Sequence, residues 1–418
     1  MKLYPHQTEA LDLIADKNRC AVYYDMGLGK TYIGSEKANQ YPEKILIVCQ
    51  KSKIADWISH YKSNYNYTVF DLTKNLDEYI STIGKCAGVI NYDLIWRRKQ
   101  LLKLTDFTLM LDESSLITNP VAERSKAILK MSPKNVILLS GTPTAGRYEK
   151  LWSQLKLLGW NIDEETYFKS YVDYRWVDRD GFWDKEVLGY KNVDHLKKKL
   201  SRFGAIFKKT DEVMDLPEQI EQTIYIEPSK EYKQFKKHHY LMLGDKELIG
   251  DHSLTRILYE RELCGQYSED KLKAFQDLVD STEDRLIVFY NFTEELNRLI
   301  DQKRPVSVVN GATKDLTAYE KYDDSITFVQ YQAGAYGLNL QLANKVIYYS
   351  LPLGIGSCDL WEQSKKRIHR IGQDRSCFYY YLIVKDSIET WNLELLKTGK
   401  ELTDELFKNE RNTVQADG

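Results

Sequence analysis

The sequence predicts an α/β chain folded as two doubly wound parallel-sheet lobes. Its length, two separate series of short apolar runs, and the amphipathic stretches alternating with those runs all point there. At 418 residues the chain exceeds the usual size of one hydrophobic core, so two domains are expected. The first series comprises CAVYY (20–24), ILIVC (45–49), GVIN (88–91), TLML (108–111) and NVILLS (135–140). Uninterrupted runs rich in β-branched residues are what strands buried on both faces require, and alternation with helical patterns implies a parallel sheet. The second series comprises RLIVFYNF (285–292), VSVVNG (306–311), TFVQY (327–331), KVIYYS (345–350) and FYYYLI (378–383).

Between the two series, residues 160–280 carry longer amphipathic patterns such as DHLKKKLSRFGAIFKK and SKEYKQFKKHHYLML. Their spacing suits helices, so helical protrusions are expected at about 160–210 and 228–266. MDLPEQ, Met214–Gln219, holds one of the nine prolines and is the expected connection between a lobe at 1–216 and a lobe at 217–418.

Hydrophobic residues make up 43% and charged residues 29% of the chain, which places it among globular proteins rather than disordered ones. Lysine plus arginine (59) nearly balances aspartate plus glutamate (61), so any face for a polyanion must be local. The N-terminal MKLYPHQTEALDLIADKNR is charged where a signal peptide would be apolar, and no apolar run reaches membrane-spanning length. A cytoplasmic protein without a membrane partner is expected. Six cysteines are scattered without a CxxC pair, which predicts buried free thiols and no zinc.

CAVYY runs into DMGLGKT and then the helical pattern TYIGSEKANQ, the strand, glycine loop and helix of a phosphate-binding loop. Gly27 and Gly29 let backbone N–H groups wrap phosphates, Lys30 pairs with the β and γ oxygens, and Thr31 offers a hydroxyl to Mg²⁺. The leading glycine of that pattern falls at Tyr24, so the match is partial and a plain turn before a surface helix stays open. TLML ends in Asp112 and Glu113. Carboxylates at the C-terminal end of a parallel strand lie where an open α/β sheet binds ligands. Asp112 is the candidate Mg²⁺ ligand and Glu113 the residue that polarises water. Capping of the next helix by Asp112 or Ser114 is the alternative.

Taken in order, LYPHQ (3–7), DMGLGKT (25–31), LIVCQKSKIADW (46–57), LDESS (111–115), LLSGTP (138–143), LWSQLKLLG (151–159), DEVMDLPEQ (211–219), RLIVFYNF, AGAYGLNLQLANKVI (333–347) and QSKKRIHRIGQ (363–373) span nearly the whole chain. As a set they resemble the Swi/Snf-like, chromatin-remodelling-type branch of helicase superfamily 2, in a minimal single-motor form of bacterial or bacteriophage type.

The resemblance implies two RecA-like lobes, ATP and Mg²⁺ as cofactors, and DNA-stimulated hydrolysis that drives a monomer along double-stranded DNA. A strand-separating DNA or RNA helicase and a nucleotide-gated clamp are the alternatives. Gln7 resembles the glutamine that reads adenine, and Gly337 falls in a nucleotide-binding motif. Ser140 and Thr142 resemble residues that couple the γ-phosphate to lobe movement, and Gln363, Arg367 and Arg370 the sensor and arginine fingers. On a helix Arg367 and Arg370, three apart, would share a face. Lys51, Ser52, Asn91 and Tyr92 in the first lobe, and Asn310, Gly311, Ala333 and Gly334 in the second, match positions that touch nucleic-acid phosphates without reading sequence. The basic run Lys197, Lys198, Lys199, Arg202, Lys208 and Lys209 is either a further nucleic-acid face or a solvated helix face. Four departures stand out: Ser115 in place of a histidine, Ala335 of a glycine, Gln332 of a basic residue and Asn344 of an aspartate. Ser115 leaves open how ATP state is relayed between motifs.

Overall fold

Strands without polar alternation need cover on both faces, and the computed structural model of the chain provides it. It describes residues 3–41, 44–144, 146–179, 182–213, 215–331, 338–354, 356–370 and 372–407. Contacts divide the chain into one unit of Met1–Met214 with Glu401–Gly418 and another of Asp215–Lys400. The boundary falls inside MDLPEQ.

In the first unit, β1 (Arg19–Tyr24), β2 (Lys44–Cys49), β3 (Thr68–Asp71), β4 (Cys86–Asn91), β5 (Phe107–Asp112) and β6 (Asn135–Leu139) join the later strand β9 (Ala205–Lys208). The parallel sheet has the order β3-β4-β2-β5-β6-β1-β9. Alternate residues of β1 enter different clusters, Ala21 and Tyr23 one core and Cys20, Val22 and Tyr24 another, so both faces of the sheet are buried. Helix α1 covers Pro5–Leu13, α2 Lys30–Asn39 and α3 Ile54–Asn64. Gly34 lets α2 lie close on the sheet, since a Cβ there would come within 2.9 Å of Leu139 and 3.0 Å of Met110.

The second unit has β10 (Gln219–Ile226), β13 (Leu286–Tyr290), β14 (Val306–Val309), β15 (Lys314–Asp315), β16 (Ile326–Gln330), β17 (Lys345–Tyr348) and β18 (Cys377–Val384). Their order is β10-β18-β17-β13-β16-β14-β15, parallel except for β14 against β15. Two doubly wound α/β sheets are thus present, as the two series of runs predict.

The segment expected to be helical differs. Helices form at Glu164–Tyr171, Val193–Arg202, Lys230–His238 and Ser253–Gln266. Two antiparallel hairpins accompany them, β7 (Val172–Arg179) with β8 (Phe182–Tyr190) and β11 (Tyr240–Leu243) with β12 (Lys246–Ile249). AIFK, expected as the end of a helix, is β9 and pairs with β1. Gly204 breaks the helix with φ 86°, where a Cβ would strike the Arg19 carbonyl at 2.5 Å. YLML likewise leaves its helix and becomes β11. QIEQTIYI is β10, an edge strand largely exposed along its first half, so its polar residues hide it from a search for buried runs.

The basic run is open in part, with Lys198 and Arg202 exposed and Lys199 half-buried. Lys197 is buried, Lys208 pairs with Glu9 at 3.0 Å and Lys209 with Asp404 at 2.7 Å. All six cysteines are buried and unbridged. Among the described residues no helix is long and apolar enough to cross a membrane.

Candidate nucleotide site

Three neighbouring strands, β5, β6 and β1, end on the same edge of the first sheet, and each delivers one piece of the site. Asp112 stands opposite Leu139, and Leu139 opposite Val22, so the loops that follow emerge side by side.

From β1 the chain turns through Gly27 (φ 85°) and Gly29 (φ 74°), both in the left-handed region that glycine tolerates. Gly29 caps α2, and Lys30 and Thr31 open that helix, whose N-terminal N–H groups and dipole favour an anion. The Lys30 ammonium donates to the carbonyls of Tyr24 at 2.8 Å and Asp25 at 3.2 Å. Gln7 is buried beside this loop: its Oε1 accepts from Tyr4 N at 2.9 Å, and a Cβ on Gly29 would come within 2.0 Å of its Nε2.

From β5 come Asp112 and Glu113. Burial pushes the Asp112 carboxyl above its usual range, opposed by a hydrogen bond from Trp57 and by the charges of Lys30 and Lys53. Trp57 Nε1 donates to Asp112 Oδ2 at 2.8 Å. Glu113 adopts a left-handed backbone, φ 57°, a strained conformation for a residue with a Cβ and one that clusters at functional sites. Asp112 therefore does not cap a helix; a 3₁₀ turn, Ser114–Ile117, follows with Glu113 at its cap position and no side-chain capping bond.

From β6 comes SGTP. Ser140 is fully buried, and its hydroxyl accepts from Thr142 N at 3.1 Å. A Cβ on Gly141 would lie 3.6 Å from the Lys30 ammonium, so this turn borders Lys30. Thr142 Oγ1 is buried without a hydrogen-bond partner among the described residues.

The donors suit Mg²⁺ bound through phosphates, which keeps several waters and takes one or two carboxylates. Asp112 is such a carboxylate and Thr31 such a hydroxyl. Among the described residues no group of three or more His, Cys, Asp or Glu forms a metal cage.

Of the nucleic-acid candidates, Lys51 and Ser52 are exposed on the turn preceding α3. Asn91 and Tyr92 are buried, and the Tyr92 hydroxyl donates to the carbonyls of Asp112 at 2.9 Å and Glu113 at 3.3 Å. That side chain braces the carboxylate strand. In the second unit Asn310 shapes a turn, accepting from Ala312 N and Thr313 N, with Gly311 exposed on it. Ala333, Gly334 and Gly337 lie outside the described residues, as do Gln332 and Ala335.

The arginine segment corrects one expectation. The helix Ser357–Lys365 ends before Arg367, so a shared helical face does not align Arg367 with Arg370. Arg367 is buried, its Nε donating to Gln363 O and its Nη1 to Leu338 O, both at 3.1 Å. Arg370 is half-buried and donates to Asn339 Oδ1. Burial lowers its guanidinium pKa. Gln363 is buried, with its side-chain oxygen unpartnered among the described residues.

Trp57 and Gln154 escaped the sequence reading as individual residues. Gln154 bonds Ser114 of the carboxylate box, Tyr23 of β1 and Pro143 of SGTP. Both lie in motifs the sequence reading quoted, LIVCQKSKIADW and LWSQLKLLG, but nothing local marks their partners.

A glycine loop, a half-buried carboxylate pair and an SGTP turn on adjacent strand ends define a P-loop nucleotide-binding protein, here with two α/β lobes. The SNF2-related domain matches residues 6–269, and the helicase conserved C-terminal domain matches residues 270–372. The chain belongs to the SNF2-related family, the Swi/Snf branch of helicase superfamily 2. It is 23% identical to the SWI/SNF-related matrix-associated actin-dependent regulator of chromatin subfamily A-like protein 1 homolog of Caenorhabditis elegans, over 94% of this chain and 60% of that protein. It is 26% identical to YwqA of Bacillus subtilis, provisionally named an ATP-dependent helicase/translocase, over 75% of this chain and 37% of that one. The human DNA annealing helicase and endonuclease ZRANB3 is 24% identical, with 100% of this chain and 41% of that protein covered. The chain thus spans 37% to 60% of these relatives' length. The Sulfolobus solfataricus SWI2/SNF2 ATPase core in complex with dsDNA matches with 18% identity and a TM-score of 0.46, over 97% of this chain and 93% of that one.

Proposed function

We propose that this chain hydrolyses ATP, is stimulated by DNA, and uses the cycle to step along a duplex without separating its strands. The observation that carries the hydrolysis is the grouping of Lys30, the Asp112 and Glu113 pair and SGTP on three adjacent strand ends, in a member of the SNF2-related family. Phosphates displace the Tyr24 and Asp25 carbonyls from Lys30, and the amides after Gly27 and Gly29 wrap them. Gln7, fixed against Gly29, meets the base. Thr31 and Asp112 would hold Mg²⁺, which would supply positive charge at the phosphate oxygens. Glu113 orients the attacking water and accepts its proton. Ser140 and Thr142 sense the γ-phosphate. Gln363, Arg367 and Arg370 act on the nucleotide in the closed state, and a guanidinium stabilises the charge spread over the transferring group.

Duplex DNA is the proposed track, from family membership and from relatives named for helicase or translocase action. Lys51, Ser52, Asn310 and Gly311 are the proposed phosphate contacts, which give register without sequence preference. Turnover measured side by side with duplex DNA, single-stranded DNA and RNA tests this. Duplex is expected to stimulate most, with little displacement of a forked strand. Efficient unwinding of that fork would favour the strand-separating alternative.

A further inference from the structure

The fourth position of the carboxylate box, Ser115, offers no imidazole with which to contact SGTP, yet the two segments are joined through another side chain. We propose that Gln154 is a positioning residue that ties the hydrolytic box to the SGTP turn and makes turnover depend on their register. The proposal rests on the assignment of Glu113, Ser140 and Thr142 to the nucleotide site.

Gln154 lies in the helix Trp152–Leu157 and is fully buried, 0% exposed. Its Oε1 accepts from the Ser114 hydroxyl at 2.7 Å and the Tyr23 hydroxyl at 3.0 Å, while its Nε2 donates to the Pro143 carbonyl at 2.6 Å. One amide therefore meets the residue after Glu113 and the residue after Thr142, with the P-loop strand as a third anchor. Its neighbours Leu151, Leu155 and Leu157 belong to the apolar core, where an unsatisfied amide would be costly.

The amide has one workable orientation. Pro143 presents only a carbonyl, so turning the group over would set two acceptors face to face. Ser114 and Pro143 are thereby held at opposite ends of one rigid planar group, and a shift of the carboxylate box must either carry the SGTP turn with it or break a buried hydrogen bond. Tyr23 supplies the same kind of bond to the same oxygen from the penultimate residue of β1, outside the link between box and turn. That gives an internal control.

Four variants, Ser114→Ala, Gln154→Leu, their double mutant and Tyr23→Phe, are compared with the wild-type chain for kcat, ATP KM and melting temperature, with and without duplex DNA. Ser114→Ala and Gln154→Leu are expected to lower kcat about tenfold with KM within about threefold. The double mutant should be no slower than Gln154→Leu, because both changes cut the same link. Tyr23→Phe should lower the melting temperature without lowering kcat. A kcat loss in Tyr23→Phe equal to that in Ser114→Ala would make Gln154 merely structural, and wild-type kcat in Ser114→Ala would also overturn the proposal. If Gln154→Leu does not fold, the contrast between Ser114→Ala and Tyr23→Phe still decides. A wild-type chain that binds ATP but does not hydrolyse it would overturn the hydrolytic assignment itself, and this proposal with it.

Discussion

In the proposed reaction, Lys30 and Glu113 carry chemistry that no neighbour can supply. The Lys30 ammonium rests on two loop carbonyls, ready to exchange them for phosphate oxygens. Lys30→Ala is expected to lower phosphate release by about 10²–10³-fold or more, with an unchanged melting temperature. Glu113→Gln keeps the shape of the box and loses the base. It should bind ATP with Mg²⁺ normally and hydrolyse it very slowly in a single-turnover assay. His60 reports on the packing behind the site. Its Nε2 lies 3.0 Å from Ser35 Oγ, one turn beyond Thr31 on α2. Burial holds the imidazole below its usual pKa, with Glu36 opposing in part. The unfolded chain takes up that proton near pH 6.5 and the folded chain only at lower pH. The His60 contribution is therefore complete above about pH 6.5 and lost as pH falls below it. Melting temperature should drop from pH 7 to 5.5, and His60→Gln should flatten part of that drop. Lys30 and Asp112 were legible because glycines and strand-end carboxylates announce themselves locally. Trp57 was not: its partner Asp112 is 55 residues away.

Single elements are secured by polar contacts inside apolar layers. Lys271, on the helix Glu269–Asp280, is 0% exposed and pairs at 2.5 Å with Glu389, on the helix Ile388–Phe407. Glu389 also accepts from Val384 N at 3.0 Å, at the end of β18. Removing one partner of a buried pair strands the other charge. Lys271→Met should cost about 3–5 kcal/mol in urea denaturation, and Lys271→Met with Glu389→Leu should recover part of the loss. Elements also show where periodicity misleads. AIFK follows a lysine-rich helix so closely that one helical pattern spans both in the sequence, until Gly204 turns the chain and β1 supplies a partner. β10 carries polar residues because an edge strand has an open face, and only its eight-residue pairing with β18 identifies it.

For the molecule as a whole, the proposed arginine finger, Arg370, is the residue to test. The phosphate loop of the first unit is complete without it, so ATP affinity should depend on it weakly. In Arg370→Ala, ATP affinity is expected within about tenfold of wild type, a change of roughly 1.4 kcal/mol. DNA-stimulated turnover should fall by about 10³-fold or more. Arg370→Lys should rescue poorly, because a point charge does not reproduce a planar fork. Normal turnover in Arg370→Ala would remove it from the reaction.

The amino-acid sequence by itself determined most strands of both parallel sheets and the glycine loop, since continuous apolar runs, paired glycines and terminal carboxylates express backbone needs met within a few residues. Only the tertiary structure decided which strands flank β1, that Tyr92 braces the carboxylate strand, that Arg367 and Arg370 follow a helix instead of sharing one, and that Gln154 joins Ser114 to Pro143. Each of those depends on hydrogen bonds or strand pairing between residues distant in the chain. A buried polar group takes whichever partner folding brings within about 3 Å, and no local pattern encodes that meeting.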